Sequence, residues 1–406
     1  MTAESPHRTR STPSLLGYAI GVLCVLGVLR GSGAAAQEPN APQTISAAEL
    51  KTAIDNLGAL DDTPRTNAAR TIRRMPAEQA VPALLQAAAE HADGYVRYRA
   101  LVLLTGFNDP RTVDLMRQAR TSPNDRLRAL AYGYFEHHPD TSLVADFLTA
   151  LDNEQGEFVR PALVRALAAT KDARVRQPLV RDVTRGEDFF RSMVIEALGD
   201  YKADYAFDAI TTVATIEGPL QGDAALALGK LGDKRALETL AALQRTAPRQ
   251  TQPTIAAAIC LLGVNCSSHE GYLVETLKFT DRNLGFQELL RAAAGGLGAL
   301  GLAPGHEDAV DALFEVGIPS RDPTRAPVSL AVATVALRNT PAMLTALGRY
   351  PARDAAVQLL SEGFDILEED LEKELFFAAV RQAYWNAPEN SPTRDLMRAL
   401  IGKLDF

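Results

Sequence analysis

Four groups of residues in this 406-residue chain have the types and spacing that chemistry uses. Gly296-Leu297-Gly298-Ala299-Leu300-Gly301 matches the G-x-G-x-x-G pattern, in which backbone N–H groups cradle a pyrophosphate. That use needs a strand turning into a helix, whereas the residues before it, Leu289-Leu290-Arg291-Ala292-Ala293-Ala294, have helical character. The glycines are therefore expected to serve close helix packing and a helix end. Two His-Glu dipeptides, His269-Glu270 and His306-Glu307, each offer a nitrogen and a carboxylate, donor types that metals take. Two pairs fall short of a full ligand set, and Ser267-Ser268 and Pro304-Gly305 before them suggest turns, so no metal is assigned. His137-His138 stands at an expected helix end, where a cation complements the dipole. Cys260 and Cys266 are the only cysteines beyond Cys24; they pair in an oxidising compartment or sit as two buried free thiols. A disulfide there would pin the junction between a regular and an irregular half. No Ser-His-Asp or Cys-His order stands out among so many Ser and Asp, so no catalytic residue and no cofactor is assigned.

The elements that hold these residues follow a beat. Val96-Arg97, Leu127-Arg128, Val159-Arg160 and Phe190-Arg191 open segments 31, 32 and 31 residues apart. Leu220 and Thr251 continue it at spacings of 30 and 31, and Pro64-Arg65 precedes Val96 by 32. Within each unit apolar residues fall at positions 1, 5, 6, 8 and 9, one face of a helix. A second amphipathic stretch follows each time, as in Ala80–Glu90, Arg111–Ala119 and Val175–Val183. Turn and cap signals such as Asn108-Asp109-Pro110 and Gly232-Asp233 separate the two. Ser46-Ala47-Ala48-Glu49 is a capping box that predicts the first helix of the array.

The apolar-Arg-x-x-Ala/Leu signature, with an acid just before it, resembles the short HEAT-like type of repeat. The resemblance implies an all-α, right-handed α-solenoid of stacked helical hairpins. It also implies a ladder between neighbouring units, here Asp93, Asp125, Glu157 and Asp188 matched to Arg97, Arg128, Arg160 and Arg191, with the Arg-bearing helices on the concave face. Gln221 and Gln252 stand where Arg is expected, so the ladder should weaken mid-chain. The His-Glu dipeptides are similar to those of the HEAT-repeat iron hydroxylases, which use four such pairs on repeat helices. Tetratricopeptide and ankyrin units share the period but need Trp-Leu-Gly-Tyr or Thr-Pro-Leu-His patterns, which are missing. The organisation expected is regular repeats over 46–265 and degenerate ones over 266–406, the final helices Ile366–Tyr384 and Thr393–Leu404 capping the array.

Residues 1–36 read as a secretory signal: Arg8 and Arg10, an apolar run from Leu15 to Leu29, then Ala34 and Ala36 before Gln37. An uncleaved N-terminal anchor is the other reading, kept open by Arg30; otherwise no membrane span is expected. Residues 37–45 read as a linker. Beyond residue 36 the chain holds 39 basic and 49 acidic residues, a balance ill suited to nucleic acid. Residues 61–130 carry 11 basic against 8 acidic side chains, and 351–406 carry 6 against 11. The acidic run Glu368-Glu369-Asp370-Leu371-Glu372-Lys373-Glu374 is expected to keep the terminus soluble or to dock a basic partner. Positions 3, 7 and 11 of the units, including Arg70, Arg74, Tyr98, Arg165, Glu196 and Lys230, are the expected exposed face for a protein partner. The functional expectation is a non-enzymatic interaction scaffold of the bacterial cell envelope, periplasmic or secreted. The alternative is an enzyme-related accessory carrying a substrate or metal site on the repeats, like HEAT-like lyases or hydroxylases.

Overall fold

The structure is a computed structural model that describes residues 43–406, so the expected signal segment and most of the expected linker lie outside the described residues. Among the described residues there are twenty-two α-helices, four short 3-10 turns and no strand. None of these helices is long and apolar enough to cross a membrane. The first helix, Ala47–Asn56, starts on the capping box: Glu49 N–H donates to Ser46 Oγ at 3.2 Å and Ser46 N–H to Glu49 Oε2 at 2.8 Å. Asp93, Asn124, Asp140 and Asp172 cap later helices or turns by accepting a backbone N–H two residues on.

The helices form two rows. One row holds Ala77–Glu90, Thr112–Ala119, Val144–Asn153, Arg176–Asp182, Phe207–Ala214 and Ala236–Thr246. The other holds Gly94–Phe107, Asp125–His137, Val159–Ala169, Asp188–Asp200, Gln221–Leu231 and Gln252–Leu261, the Arg-signature helices and their continuation. From Asp125–His137 onward, members of this second row lie against one another more closely than those of the first. Small residues allow it: a Cβ on Gly199 would sit 2.9 Å from Ala227 Cα, and one on Gly229 would sit 2.5 Å from Ala258 Cα. Closer spacing on one side bends the stack, and the tight row becomes the inner face. Gly296 to Gly301 belong to this row as well, all within the single helix Gln287–Gly301, where Gly298 approaches Ala331.

Apolar side chains between the rows form two core clusters, one from Leu50 to Leu262 and one from Ala257 to Phe406. Leu371 belongs to the first cluster although it lies near the far end of the chain. The reason is a departure from the expected cap. The last helix, Pro392–Leu404, does pack on Arg353–Ile366 at the end of the stack. Asp370–Asn386 packs on that last helix but also turns onto the inner face, against Gly94–Phe107, Asp125–His137 and Arg325–Arg338. Two glycines make the room: a Cβ on Gly106 would fall 2.5 Å from Glu374 Oε1, and one on Gly133 would fall 2.9 Å from Leu371 Cδ2. Asp370–Asn386 is called the closing helix below.

Candidate functional site: the inner face and its closing helix

The closing helix begins in an acidic turn and lies over a basic stretch of the array. Glu374, almost wholly buried, pairs with the equally buried Arg73: Nη2 to Oε2 is 2.7 Å and Nε to Oε2 is 2.8 Å. Asp370 Oδ2 accepts from Arg99 Nη1 at 2.9 Å and from Tyr98 Oη at 3.0 Å. Glu372 Oε1 meets His137 Nε2 at 2.8 Å and lies 3.6 Å from Arg338 Nη1. The chain end adds an Arg70–Asp405 ion pair, a hydrogen bond from Arg74 to the Phe406 carbonyl at 3.3 Å, and Phe406 stacked on Phe377 at 4.1 Å. Arg73 also lies over the Phe377 ring.

Burial alone would lower the pKa of His137, but the Glu372 carboxylate bonded to it outweighs that and raises it. Burial likewise works against ionised Glu372 and Asp370, and their cationic partners still hold both carboxyls below the ordinary range. Glu369, half-buried with Glu372 near it, goes the other way despite Arg338, chiefly because its surroundings desolvate it. The closing contact is thus an array of charges that stabilise one another only while they stay together.

A second line of charge runs along the inner face across successive units. Glu136 Oε1 accepts from Arg165 Nε at 2.8 Å and Tyr201 Oη at 2.7 Å. Arg165 Nη1 reaches Asp200 Oδ2 at 2.9 Å, and Asp200 Oδ1 takes Lys230 Nζ at 2.6 Å. Arg338 stands 3.8 Å from Glu136 and joins this line to Glu372 and Glu369. Burial disfavours ionised Asp200, yet Lys230 and Arg165 pull its pKa below the usual carboxylate range. Beside the closing helix a groove of about 670 Å³ stays open, with Arg126, Met193, Glu196 and Phe158 among its walls. Phe158 is 83% exposed there, unusual for so large an apolar side chain.

These findings correct two expectations. Of the six residues expected to be exposed for a partner, only Glu196 is; Arg70, Arg74 and Tyr98 are partly covered by the chain's own C-terminal segment, and Arg165 and Lys230 are tied into the charge line. The inter-unit ladder also lies elsewhere. Asp93 caps its own helix, and Asp125 and Asp188 pair with Arg128 and Arg191 three residues on, within one helix. Several signature arginines instead fold back over their helix start to carbonyls left free at the end of the preceding helix. Arg97 donates to His91 and Ala92, Arg128 to Ser122, Arg191 to Val183, and Arg65 and Arg325 repeat the pattern on Ala59 and Gly317. Arg160 departs from it and lies over the Phe190 ring of the next unit at 3.5 Å. Arg128 adds a bridge to Glu154 at 2.8 Å, whose carboxyl is held low by that bond. The ladder proper is Glu136–Arg165–Asp200–Lys230, at the opposite ends of the same helices. Sequence reasoning passed over Glu136, Asp200, Arg73 and Arg99 and had Glu374 only as one of an acidic run; the opposed charge of 61–130 and 351–406 was the signal that joined Arg73 and Arg99 to that run.

The cysteines and the two His-Glu pairs collect at one corner. Cys260 and Cys266 have Cα atoms 4.3 Å apart with their sulfurs bonded. His269 and Glu270 are the fourth and fifth residues of the helix Cys266–Arg282 rather than part of a turn, and His306 immediately precedes the helix Glu307–Gly317. His138 stacks on Tyr134 and takes no part in the closing contact, unlike its neighbour.

The family model for HEAT repeats matches residues 50–134 and that for the PBS lyase HEAT-like repeat matches 220–246. Residues 50–134 and 220–246 are therefore HEAT-type repeats. The HEAT array is also similar to solved structures of low identity. One is the complex of CpcE and CpcF of phycocyanin lyase from Nostoc, with 18% identity over 63% of this chain and 94% of that one, TM-score 0.41. Yeast importin-beta follows with 12% identity over 88% and 57%, TM-score 0.38, and human deoxyhypusine hydroxylase with 17% over 54% and 86%, TM-score 0.29. At such scores the likenesses carry no functional inference. No curated protein sequence matches the chain.

Proposed function

We propose that this HEAT array is an exported, non-enzymatic scaffold of the bacterial cell envelope that holds an acidic amphipathic helix of a protein partner on its inner face. The observation that carries the proposal is that the inner face already holds such a helix, its own. Arg73, Arg99 and His137 meet carboxylates at 370, 372 and 374, and Gly106 and Gly133 clear a path for the helix backbone. A partner presenting the same pattern displaces the closing helix, starting at the open groove where Phe158 and Glu196 stand free. Export rests on the sequence of residues 1–36 alone.

The test places a photocrosslinking residue at Glu196 or Phe158 in the full-length chain, in cells, and fractionates them. The proposal expects crosslinks in the envelope fraction whose partner peptides are acidic and helical. Adducts confined to the cytosol would contradict export, and adducts formed equally well from an outer-row position such as Glu238 would contradict the inner face as the binding surface.

A further inference from the structure

Beyond the inner face, one corner of the molecule gathers donors that the disulfide alone does not account for. The turn between Gln252–Leu261 and Cys266–Arg282 passes through Gly263 at φ +77° and Asn265 at φ +46°, which folds Cys266 back over Cys260. From the following unit, Gly305 at φ +86° turns the chain so that His306 points into the same spot. Its Nδ1 lies 3.6 Å from Cys266 Sγ and 3.9 Å from Cys260 Sγ, and the three ligand atoms lie within 4.8 Å of one another. Glu270 Oε1 lies 3.7 Å from the same Nδ1 and is buried without a hydrogen-bond partner. A structural disulfide requires neither an imidazole against both sulfurs nor an unsatisfied carboxylate oxygen beside that imidazole.

We propose that Cys260, Cys266, His306 and Glu270 form a structural zinc site in the reduced chain. Zinc takes tetrahedral sulfur, nitrogen and oxygen ligands at about 2.3 Å to sulfur and about 2.0 Å to nitrogen, which sets a sulfur–nitrogen edge of about 3.5 Å. The two Cys–His separations are close to that edge. Thiolate and imidazole donors select zinc over calcium or magnesium, which want oxygen shells. Four protein ligands leave no open position for substrate, so the ion staples three helices rather than doing chemistry. The disulfide and the zinc site are alternative states of one pair. A dithiol reductant supplies two electrons and two protons, breaking the sulfur–sulfur bond to two thiols while it closes its own disulfide. Zinc then displaces both thiol protons to solvent, leaving two thiolates, a neutral imidazole and a carboxylate around the ion.

The experiment reduces the full chain with a phosphine, adds zinc chloride, removes the excess by gel filtration and counts metal by mass spectrometry. About one zinc per chain is expected, together with a thiolate-to-metal charge-transfer band when cobalt(II) replaces zinc. Cys260→Ser with Cys266→Ser, and separately His306→Gln, should abolish retention. Glu270→Gln should weaken it about tenfold or more, and His269→Ala should leave it unchanged. Oxidised chain should take up none. Failure of the reduced chain to retain zinc, retention undiminished by His306→Gln, or equal uptake by oxidised chain would overturn the proposal. Far-ultraviolet circular dichroism accompanies each variant; should the double cysteine variant lose helix, His306→Gln and Glu270→Gln in the intact-cysteine chain decide the matter.

Discussion

At the scale of single residues, the inner face is governed by what must be buried together. Arg73 and Glu374 are both almost fully enclosed, and removing one partner of such a pair leaves a buried charge without its counterion. Arg73→Ala is expected to lower stability by about 3 kcal/mol in urea denaturation, the low end for a broken buried pair. Gly106 tests close approach independently of charge. Gly106→Ala places a methyl group against Glu374 and should cost about 1–3 kcal/mol, whereas Gly295→Ala, with nothing within 4 Å in its exposed helical position, should gain about 0.5–1 kcal/mol. His137 sets a pH dependence. Its folded pKa is raised, so the stability it contributes is complete below its unfolded value of about 6.5 and is lost as pH rises through the folded value. Glu372 and Asp370 are lowered, so their contribution is present above their unfolded values and is lost as pH falls through the folded ones. The closing helix should therefore hold most firmly between those limits. Trp385, the single tryptophan, lies on that helix, and its emission should shift at either edge of the window. In His137→Gln the alkaline shift should vanish.

At the scale of elements, most helices were legible because two amphipathic stretches recur in every 30 to 32 residues and are separated by turn residues. The glycine run 296–301 was legible for the same reason: helical neighbours left no strand to feed a phosphate loop. The signature arginines were misplaced because sequence gives the helix turn a residue occupies, not the direction of its guanidinium. Standing in the first helical turn, Arg97, Arg128 and Arg191 reach free carbonyls at the end of the preceding helix, Arg128 in addition to Glu154. Arg128→Ala, which removes both the Ser122 cap and the Glu154 bridge, is expected to cost about 1–3 kcal/mol and to raise hydrogen exchange locally around residues 120–128 and 154–160. The closing helix escaped sequence reasoning because its acids, its apolar Leu371 and its length suit a solvated cap equally well. Only the tertiary path, which brings residue 370 to residue 98, distinguishes the two.

At the scale of the whole molecule, the HEAT array is bent far enough for its last units to reach its first, and the basic and acidic ends of the sequence neutralise one another across the inner face. The net acidic charge of the chain is thus spread over the rest of the surface, while Arg73, Arg99 and His137 on the inner face lose their counterions whenever the closing helix leaves. The proposed function rests on that difference, a partner's acidic helix taking the place of the chain's own. Reversing charge at two closing positions, Asp370→Lys with Glu374→Lys in the full chain, should expose the inner face without touching the array itself. The measurement that bears most directly on this is fluorescence anisotropy of a labelled peptide with the sequence of residues 366–386, titrated with native chain and with that variant. Saturable binding to the variant, lost at high salt, is expected, with binding at least about tenfold weaker to the native chain, whose site is filled. Equal affinity for both, or no binding to a variant whose closing helix is shown by Trp385 emission to be released, would contradict the proposed exchange of helices.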